Sequence, residues 1–515
     1  MLKNSSKWPV VMSVVLAAGT LLAGCGGSGD NADNGDSAKN QTGATQTPAV
    51  EEKPKTIKVV VNNGSRKYPE GMDANNNPYI KYVREHAKVD VQLVTPPADA
   101  YQEKLSVMMA SGDLPDLLYT NDANWLVNYV NQKALQPLDD VLNQYGSDLK
   151  KLIPQEAWDH VTINGKIYAI PVINQIPGNE IMYVRKDWLN KLGLSEPKTL
   201  EEYVNVMKAF VEKDPDGNGK NDTVGLVAME NLQRTGPFMG AFGIQRNQWH
   251  EKDGQLVNSS IQPEMKSALE FLAGLYKDKL LDQEWALNKQ KNLEEKVASG
   301  KAGLFSAAWY DTRGPIETNK QNDPKAEWVP LEYPVGSTGK AGSVGLNPVK
   351  GYNVIPATSK NADAAVKMLN FIIGEGQRTM GLGFENEIWS MKDGKFTMNF
   401  EEHNKHIYRL TLGELVLPKE FLKDKNDALG MQFRLNENID RILKSPIKTQ
   451  FLGTPTAAMG KYGVKLDKME SETFTKIVMG VAPVSDFDKF VEEWKKQGGD
   501  EIAKEVNDWY KSNKK

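Results

Sequence analysis

The spacing of apolar residues divides the first part of the chain into strands and helices. Residues 57–61 and 89–93 are β-rich runs, and the second alternates apolar with polar positions as a half-buried strand does. Between them, apolar residues of 77–88 recur at helical spacing, and a further amphipathic helix precedes a third strand that follows 113–116. This β-α-β-α-β order is typical of a parallel sheet covered by helices.

Amphipathic helices dominate the later part of the chain. Thr199 and Glu202 have the spacing of a capping box, and apolar residues follow on one helical face. Similar patterns occur at 361–373 and 485–509. No repeat of fixed period is visible in the sequence, so the pattern does not indicate a solenoid or a propeller. We therefore predict a mixed α/β fold.

The N-terminus has the pattern of an export signal. Lys3 and Lys7 precede an apolar run at 8–24, which is at the lower limit of length for a membrane span. Polar residues follow that run, where a membrane span would be followed by a stop-transfer sequence. We therefore expect residues 1–24 to form a signal peptide that is removed.

The end of the apolar run reads LAGC at 22–25, which resembles the lipobox of bacterial lipoproteins. The resemblance implies that the Cys25 thiol carries a diacylglyceryl group and that Cys25 becomes the first residue after cleavage. Residues 25–55 then comprise the lipidated cysteine and a flexible tether, because this polar stretch has too few apolar residues to fold. Stable anchoring takes more than one acyl chain. We expect the protein at the extracellular face of the cell membrane.

Composition and charge narrow the class of protein. The chain has 515 residues, of which 25% are charged and 40% hydrophobic, so there is room beyond the tether for two or three ordinary globular domains. The formal net charge is −4, and a balanced to mildly acidic surface argues against nucleic acid as a partner. Cys25 is the single cysteine, which excludes an intramolecular disulfide.

Several ordered segments carry a resemblance to a known protein family. They are residues 112–116 (GDLPD), 164–171 (NGKIYAIP), 183–189 (YVRKDWL), 300–304 (GKAGL) and 351–356 (GYNVIP). In order and spacing they resemble the extracellular solute-binding proteins of ABC importers, in particular the family that captures sugars and oligosaccharides. The segment 214–222 (DPDGNGKND) adds a likeness to the large members that bind alginate or pectin-derived oligosaccharides.

The resemblance implies a two-lobed α/β fold of the periplasmic-binding-protein type, with a hinge and a ligand cleft between the lobes. We assign residues 56–172 and about 310–360 to the N-terminal lobe, and residues 173–309 and about 361–515 to the C-terminal lobe. The resemblance further implies a monomer that captures an oligosaccharide and delivers it to ABC permease subunits. It implies that the protein itself catalyses no reaction.

The loop at 214–222 has oxygen-bearing residues at the spacing of an EF-hand-like calcium site. The expected ligands are the side chains of Asp214, Asp216, Asn218 and Asp222 and the carbonyl oxygen of Lys220. Gly225 stands where an EF-hand has its closing Glu, and the resemblance makes Thr223 the residue that would close the site. The alternative is a solvated turn, because Asp-Pro and Asn-Gly are ordinary turn formers. The expected role of calcium is structural.

A sugar cleft combines exposed aromatic rings with polar side chains, because sugars present flat C–H faces and many hydroxyls. Three places in the sequence have this combination, namely Asn121 with Trp125, Trp309 with Tyr310 and Arg313, and Glu385 with Trp389. The resemblance implies that Trp309, Glu385 and Trp389 contact the sugar. Core packing is the alternative for any Trp.

Other candidate chemistry is weaker. His403 and His406 stand three residues apart beside Glu401 and Glu402, where a metal site competes with the commoner solvated charged helix face. No metalloprotease, nucleophile-elbow or phosphate-loop motif is present, and we assign no catalytic residue. The 67 acidic residues offer many carboxylate pairs. A secreted polysaccharide hydrolase or lyase and a binding protein for a non-sugar solute therefore stay open as alternatives.

Overall fold

The computed structural model describes residues 54–176, 178–418 and 421–513. The predicted signal peptide, Cys25 and the tether up to residue 53 lie outside the described residues. The strands, in chain order, are β1 Lys55–Val60, β2 Val89–Val94, β3 Leu117–Thr120, β4 Thr162–Ile163, β5 Lys166–Ile167, β6 Ile170–Ile173, β7 Glu180–Arg185, β8 Trp249–Lys252, β9 Gln255–Asn258, β10 Leu304–Ala308, β11 Trp328–Leu331, β12 Ser343–Val344, β13 Val349–Val354, β14 Trp389–Lys392, β15 Lys395–Met398 and β16 Pro446–Ile447.

The α-helices of the described ranges cover more of the chain than the strands do. They are α1 Pro78–Ala87, α2 Tyr101–Ser111, α3 Ala123–Asn131, α4 Asp139–Tyr145, α5 Ser147–Leu152, α6 Gln155–Asp159, α7 Lys186–Leu192, α8 Leu200–Glu212, α9 Gly236–Gly240, α10 Pro263–Lys277, α11 Gln290–Ala298, α12 Pro315–Asn322, α13 Ala362–Ile373, α14 Gln377–Leu382, α15 Phe400–Lys405, α16 Leu410–Gly413, α17 Phe421–Leu429, α18 Leu435–Ile442, α19 Ala457–Val478, α20 Asp486–Trp494 and α21 Asp500–Asn513. No helix in these ranges is both long and apolar enough to cross a bilayer.

The first sheet has the strand order β2-β1-β3-β13-β6. Strand β1 pairs in parallel with both β2 and β3, and α1 and α2 connect the three strands. This confirms the β-α-β-α-β order predicted from the apolar spacing. Strand β13 pairs antiparallel with β3 and with β6, so a late segment of the chain completes the sheet.

The second sheet has the order β10-β7-β11, and β7 pairs antiparallel with both neighbours. Successive side chains of a strand point to opposite faces of its sheet. Accordingly Met182 and Val184 pack in one apolar cluster, whereas Ile181 and Tyr183 pack in another on the opposite face. Helices therefore cover this short sheet on both sides.

Two groups of apolar clusters alternate along the chain. The first core takes its residues from 57–173 and 349–428, and the clusters around the second sheet take theirs from 176–333 and 422–506. The chain therefore crosses between the two bodies several times. Near the crossings, β12 pairs in parallel with β16, and Gly178 bridges to Gly345.

These cores divide the chain differently from the predicted lobe boundaries. Helix α13, which we assigned to the C-terminal lobe, buries Val366, Leu369 and Ile373 in the first core together with the first sheet. Strand β11, which we assigned to the N-terminal lobe, pairs with β7 of the second sheet. Amphipathic spacing shows that a helix has a buried face, but it does not show which core that face joins.

Candidate functional site

A cavity of about 260 Å³ lies where strands of the first sheet end. Asn62 and Gly64 follow β1, Asn121 follows β3, and Lys350 lies near the start of the antiparallel β13. The carboxyl ends of parallel strands are where α/β sheets commonly bind ligands. Asn121, predicted as a ligand contact, lines this cavity and is exposed.

The charged residues that line this cavity come from separate parts of the chain. Arg66 Nη2 lies 2.5 Å from Glu414 Oε2, and Arg66 Nη1 donates to the carbonyl oxygen of Asn63 at 3.3 Å. Lys350 is exposed and has no hydrogen-bond or ion-pair partner among the described residues. None of these three charged residues was predicted from the sequence, although the Asn62-Asn63-Gly64 turn after β1 is a signal for a site at this strand end.

The predicted residues Trp309, Tyr310 and Arg313 follow β10 at the edge of the second sheet. Trp309 is partly buried, its ring stands edge-on to that of Tyr310 at 5.4 Å between centroids, and Tyr310 is 46% exposed. The Arg313 guanidinium lies 5.4 Å from the centroid of the Phe400 ring. The structure thus offers an aromatic pair and a cation on one short segment.

A buried ion pair holds this segment in place. Asp311 is 1% exposed, and its Oδ2 accepts the backbone N–H of Ala308 at 2.7 Å and lies 3.5 Å from Arg234 Nη2. Burial raises the pKa of Asp311, whereas the Arg234 guanidinium lowers it. Because a buried carboxylate needs such partners, Asp311 fixes the chain direction just after β10.

Two predicted sugar contacts are buried instead. Trp389 is 4% exposed, belongs to the first core, and donates its indole N–H to the carbonyl oxygen of Gly383 at 2.7 Å. Trp125 is also in the first core and packs against Tyr129 at 4.3 Å between ring centroids. The expectation of exposed rings at these positions was wrong, because apolar neighbours on α3 and β14–β15 cover them. Glu385 is exposed in the turn before β14.

A second cavity of about 360 Å³ lies between the two cores. Ala123, His160 and Tyr352 line it from the first core, and Trp249 and Met459 from the second. Burial lowers the pKa of His160, so this imidazole is neutral near pH 7. A cavity lined from both cores is the position expected for an interlobe cleft.

The 214–222 loop folds around its own carboxylates. Asp214 accepts the backbone N–H groups of Gly217, Asn218 and Gly219 at 3.0 to 3.1 Å. The Asn218 amide nitrogen donates to Asp216 at 2.7 Å and to Asp222 at 3.0 Å. Two carboxylates thus converge on one small polar group.

The chemistry of this donor set fits a hard divalent cation, which prefers carboxylate, amide and carbonyl oxygens. A hydrogen bond with Asp216 lowers the pKa of Asp214, while burial and the same hydrogen bond raise the pKa of Asp216. A cation would relieve this crowding of like charges. Thr223 is buried, and its hydroxyl donates to the carbonyl oxygen of Phe210 at 2.6 Å. This hydrogen bond to α8 sets the orientation of the hydroxyl.

His403 and His406 are buried, so the expected solvated helix face was wrong. His406 Nε2 lies 3.6 Å from Glu387 Oε1 and 3.9 Å from Glu402 Oε2, and its Nδ1 lies 3.0 Å from Tyr79 Oη. The three potential ligand atoms of Glu387, Glu402 and His406 lie within 4.8 Å of one another. Lys405 already pairs with Glu402 at 2.8 Å, which neutralises one of the two carboxylates.

The burial of His403 leads us to predict that the folded protein loses stability as the pH falls. Burial, helped by Arg409, Arg313 and Lys425, lowers its pKa to about 3, below the value of about 6.5 in the unfolded chain. Between these values the unfolded state binds the extra proton, so stability falls as pH falls. In His403→Gln the loss between pH 6 and pH 5 should shrink by about 1 kcal/mol. Urea unfolding at both pH values measures this, and an unchanged loss would contradict the prediction.

Comparison with known proteins gives one family and several relatives. The family described as bacterial extracellular solute-binding protein matches residues 28–379. Lipoprotein LipO of Bacillus subtilis is 27% identical over 468 residues, covering 86% of this chain and 90% of LipO. The polygalacturonan/rhamnogalacturonan-binding protein YtcQ of the same organism is 26% identical over 528 residues, covering 99% of this chain and 100% of YtcQ.

Solved structures share the fold. The EF-hand mutant of the Streptococcus pneumoniae substrate-binding protein FusA, in complex with fructo-nystose, has a TM-score of 0.68 at 18% identity, covering 89% of this chain and 99% of FusA. This likeness confirms the predicted two-lobed fold of solute-binding proteins.

Proposed function

Because this chain belongs to the bacterial extracellular solute-binding proteins, we propose that it captures an oligosaccharide outside the cell and delivers it to an ABC importer permease. The observation that carries the proposal is the contact of the partly buried Trp309 with the exposed Tyr310 at the end of β10. The first sheet adds a cavity lined by charged and amide side chains at its strand ends. Ring faces suit the C–H faces of sugars, and polar side chains suit their hydroxyls. Closure of the two bodies on the ligand would supply the signal that the permease reads.

Calorimetric titration with a panel of oligosaccharides tests this function, and product analysis of the same mixtures tests the enzymatic alternative. We expect stoichiometric binding without new reducing ends or unsaturated products. Trp309→Ala should weaken binding about tenfold or more while leaving the melting temperature within a few degrees, because a stacking face is lost at a partly exposed position. Leu287→Ala, at an 80% exposed apolar position, is the control.

Three outcomes would contradict the proposal or its site. Turnover of any sugar would favour the hydrolase or lyase. A panel without any binding would favour a non-sugar solute. Unaltered affinity in Trp309→Ala would show that the ligand binds elsewhere.

We also propose that the 214–222 loop holds a structural calcium ion. The ligands would be Asp214, Asp216, Asn218 and Asp222 with the Lys220 carbonyl oxygen, and Thr223 stands next to them. Support comes from the carboxylates of Asp216 and Asp222, which converge on the Asn218 side chain, and from the FusA structure, which is that of an EF-hand mutant. A bound ion would hold the end of α8 close to the segment after the loop, in which Val227 bridges to Phe305 of β10.

A lipid on Cys25 would serve delivery and not capture. A tether keeps a carrier close to its membrane partner, which raises the local concentration at which the two meet. Cys25→Ala should therefore bind the ligand with unchanged affinity but support little uptake by whole cells. Uptake of labelled ligand, with immunoblots of membrane and medium fractions, measures this. Normal uptake by a released Cys25→Ala protein would refute the anchoring role. We propose that the carrier acts as a monomer.

A further inference from the structure

We propose that Glu387, Glu402 and His406 bind a divalent transition metal ion such as zinc beside the first core. The site is separate from the 214–222 loop, and the inference does not depend on which solute the protein captures. It is carried by one imidazole nitrogen and two carboxylate oxygens that face one another without forming a hydrogen bond.

Two short segments bring the three ligands together. Glu402 and His406 stand four residues apart at the end of α15, so their side chains lie on one face of that helix. Glu387 comes from the turn between α14 and β14 and is exposed there. Imidazole and carboxylate together form a donor set that suits zinc and related ions.

The distances between the ligand atoms suit an ion placed among them. His406 Nε2 lies 3.6 Å from Glu387 Oε1 and 3.9 Å from Glu402 Oε2. Both separations exceed the length of an N–H···O hydrogen bond, which is about 2.7 to 3.2 Å. Zinc binds such atoms at about 2.0 to 2.2 Å, which places two ligands of a tetrahedral ion roughly 3.3 to 3.6 Å apart. Small side-chain adjustments would therefore complete the site.

The imidazole of His406 is held in the orientation that a metal ligand needs. His406 is 8% exposed, and its Nε2 makes no hydrogen bond among the described residues. Its Nδ1 lies 3.0 Å from the hydroxyl oxygen of Tyr79 on α1. A metal-binding histidine usually donates its second ring N–H to a fixed acceptor, which leaves the lone pair of the other nitrogen for the ion. Tyr79 is in the position of that acceptor.

The charges around the site leave room for a cation. Lys405 donates to Oε1 of Glu402 and to Glu401, each at 2.8 Å, so the Glu402 oxygen that faces the imidazole is not the one that Lys405 occupies. Arg409 donates to backbone carbonyl oxygens and pairs with no carboxylate in the described ranges. With Glu387, three carboxylates therefore outnumber the two cations, and a divalent ion would offset the excess.

A bound ion would fix the end of α15 to the turn before β14. Phe400 begins this helix, and its ring lies 5.4 Å from the guanidinium of Arg313 on the segment after β10. The ion would thus steady a helix that contacts the segment with the aromatic pair. Because an ion that binds only the folded state stabilises it, zinc should raise the melting temperature by about 2 °C.

Calorimetric titration with zinc chloride tests the site. All proteins carry Cys25→Ala, so that no thiol competes for zinc, and excess calcium is present to occupy the 214–222 loop. We expect one zinc ion per chain with a Kd of about 10 µM or tighter. Glu387→Gln should weaken zinc binding about tenfold or more and abolish the rise in melting temperature, because it removes a charged ligand at an exposed position.

Glu375→Gln is the matched control. Glu375 is an exposed acid 3.9 Å from the exposed His86, but the two form only a pair and not a group of three within the described ranges. This variant should bind zinc as the unmodified protein does. Equal weakening in Glu375→Gln and Glu387→Gln would mean that surface charge alone attracts the ion, and would overturn the assignment.

Tyr79→Phe tests the role of the tyrosine as a positioning residue. The ring is kept and only the hydroxyl is lost, so the first core keeps its packing while His406 loses its fixed partner. Zinc affinity should fall about tenfold. Absence of zinc binding to the unmodified protein, or unchanged affinity in both Glu387→Gln and Tyr79→Phe, would overturn the proposal. No sugar enters these measurements, so their outcome leaves oligosaccharide capture to its own test.

Discussion

Gly240→Ala is expected to destabilise the folded protein by about 3 kcal/mol or more. Gly240 ends α9 and is buried where this helix approaches the segment that crosses back to the first core. An added Cβ would overlap the carbonyl oxygen of Gly342, directly before β12. The position of a Cβ is fixed by its own backbone and the atoms it would meet are backbone atoms of Gly342, so no side-chain rotation can relieve the overlap, and α9 or the crossing must shift. Urea unfolding measures the change.

Gly274→Ala is the matched control for this substitution. Gly274 lies in α10 and is exposed, and an added Cβ there meets no atom within 4 Å. The same chemical change should stabilise the protein by about 0.5 to 1 kcal/mol, because Ala loses less conformational freedom in a helix than Gly. Similar effects of the two variants would show that the close approach of α9 and the crossing does not govern stability.

Removal of the proposed calcium ion should have the second large effect on stability. An ion that binds only the folded state stabilises it by about 2.7 kcal/mol when its free concentration is a hundred times its dissociation constant. A chelator should therefore lower the melting temperature by several degrees, and excess calcium should restore it. Asp216→Ala should melt at the temperature of the chelated protein and no longer respond to calcium.

Asp440→Ala is the control that shows whether the loss of a carboxylate outside the loop also changes the calcium response. Asp440 is exposed on α18 and lies outside the loop, so the variant should keep the full calcium response. Melting that is independent of chelator in the unmodified protein would mean that 214–222 is only a turn.

Patterns within one segment of the sequence predicted structure well. The parallel β1–β2–β3 unit follows from apolar spacing, and the capping box of α8 is formed by Thr199 and Glu202 as predicted. The N–H groups of the 214–222 loop donate to carboxylates of the same loop, because donors and acceptors are neighbours in sequence. In each case the interactions that form the structure join nearby residues.

Features that depend on distant segments were missed or misplaced. Trp389 looks like a sugar contact in sequence, yet its burial is decided by Phe396 and the rest of the first core. The cavity cations Arg66, in the loop after β1, and Lys350, in β13, are far apart in the chain, and no local pattern connects them. The lobe boundaries failed for the same reason, because the core that a helix joins is decided by tertiary packing.

The position of β13 in the first sheet has a consequence for the newly made chain. Strand β13 lies between β3 and β6, yet it begins at Val349, long after β3 ends at Thr120. Until it arrives, β3 keeps an open edge, and such an edge readily pairs with other chains. Contacts so distant in sequence also form slowly. Completion of the first sheet must therefore wait until the chain has been made as far as β13, which is well over half of the polypeptide.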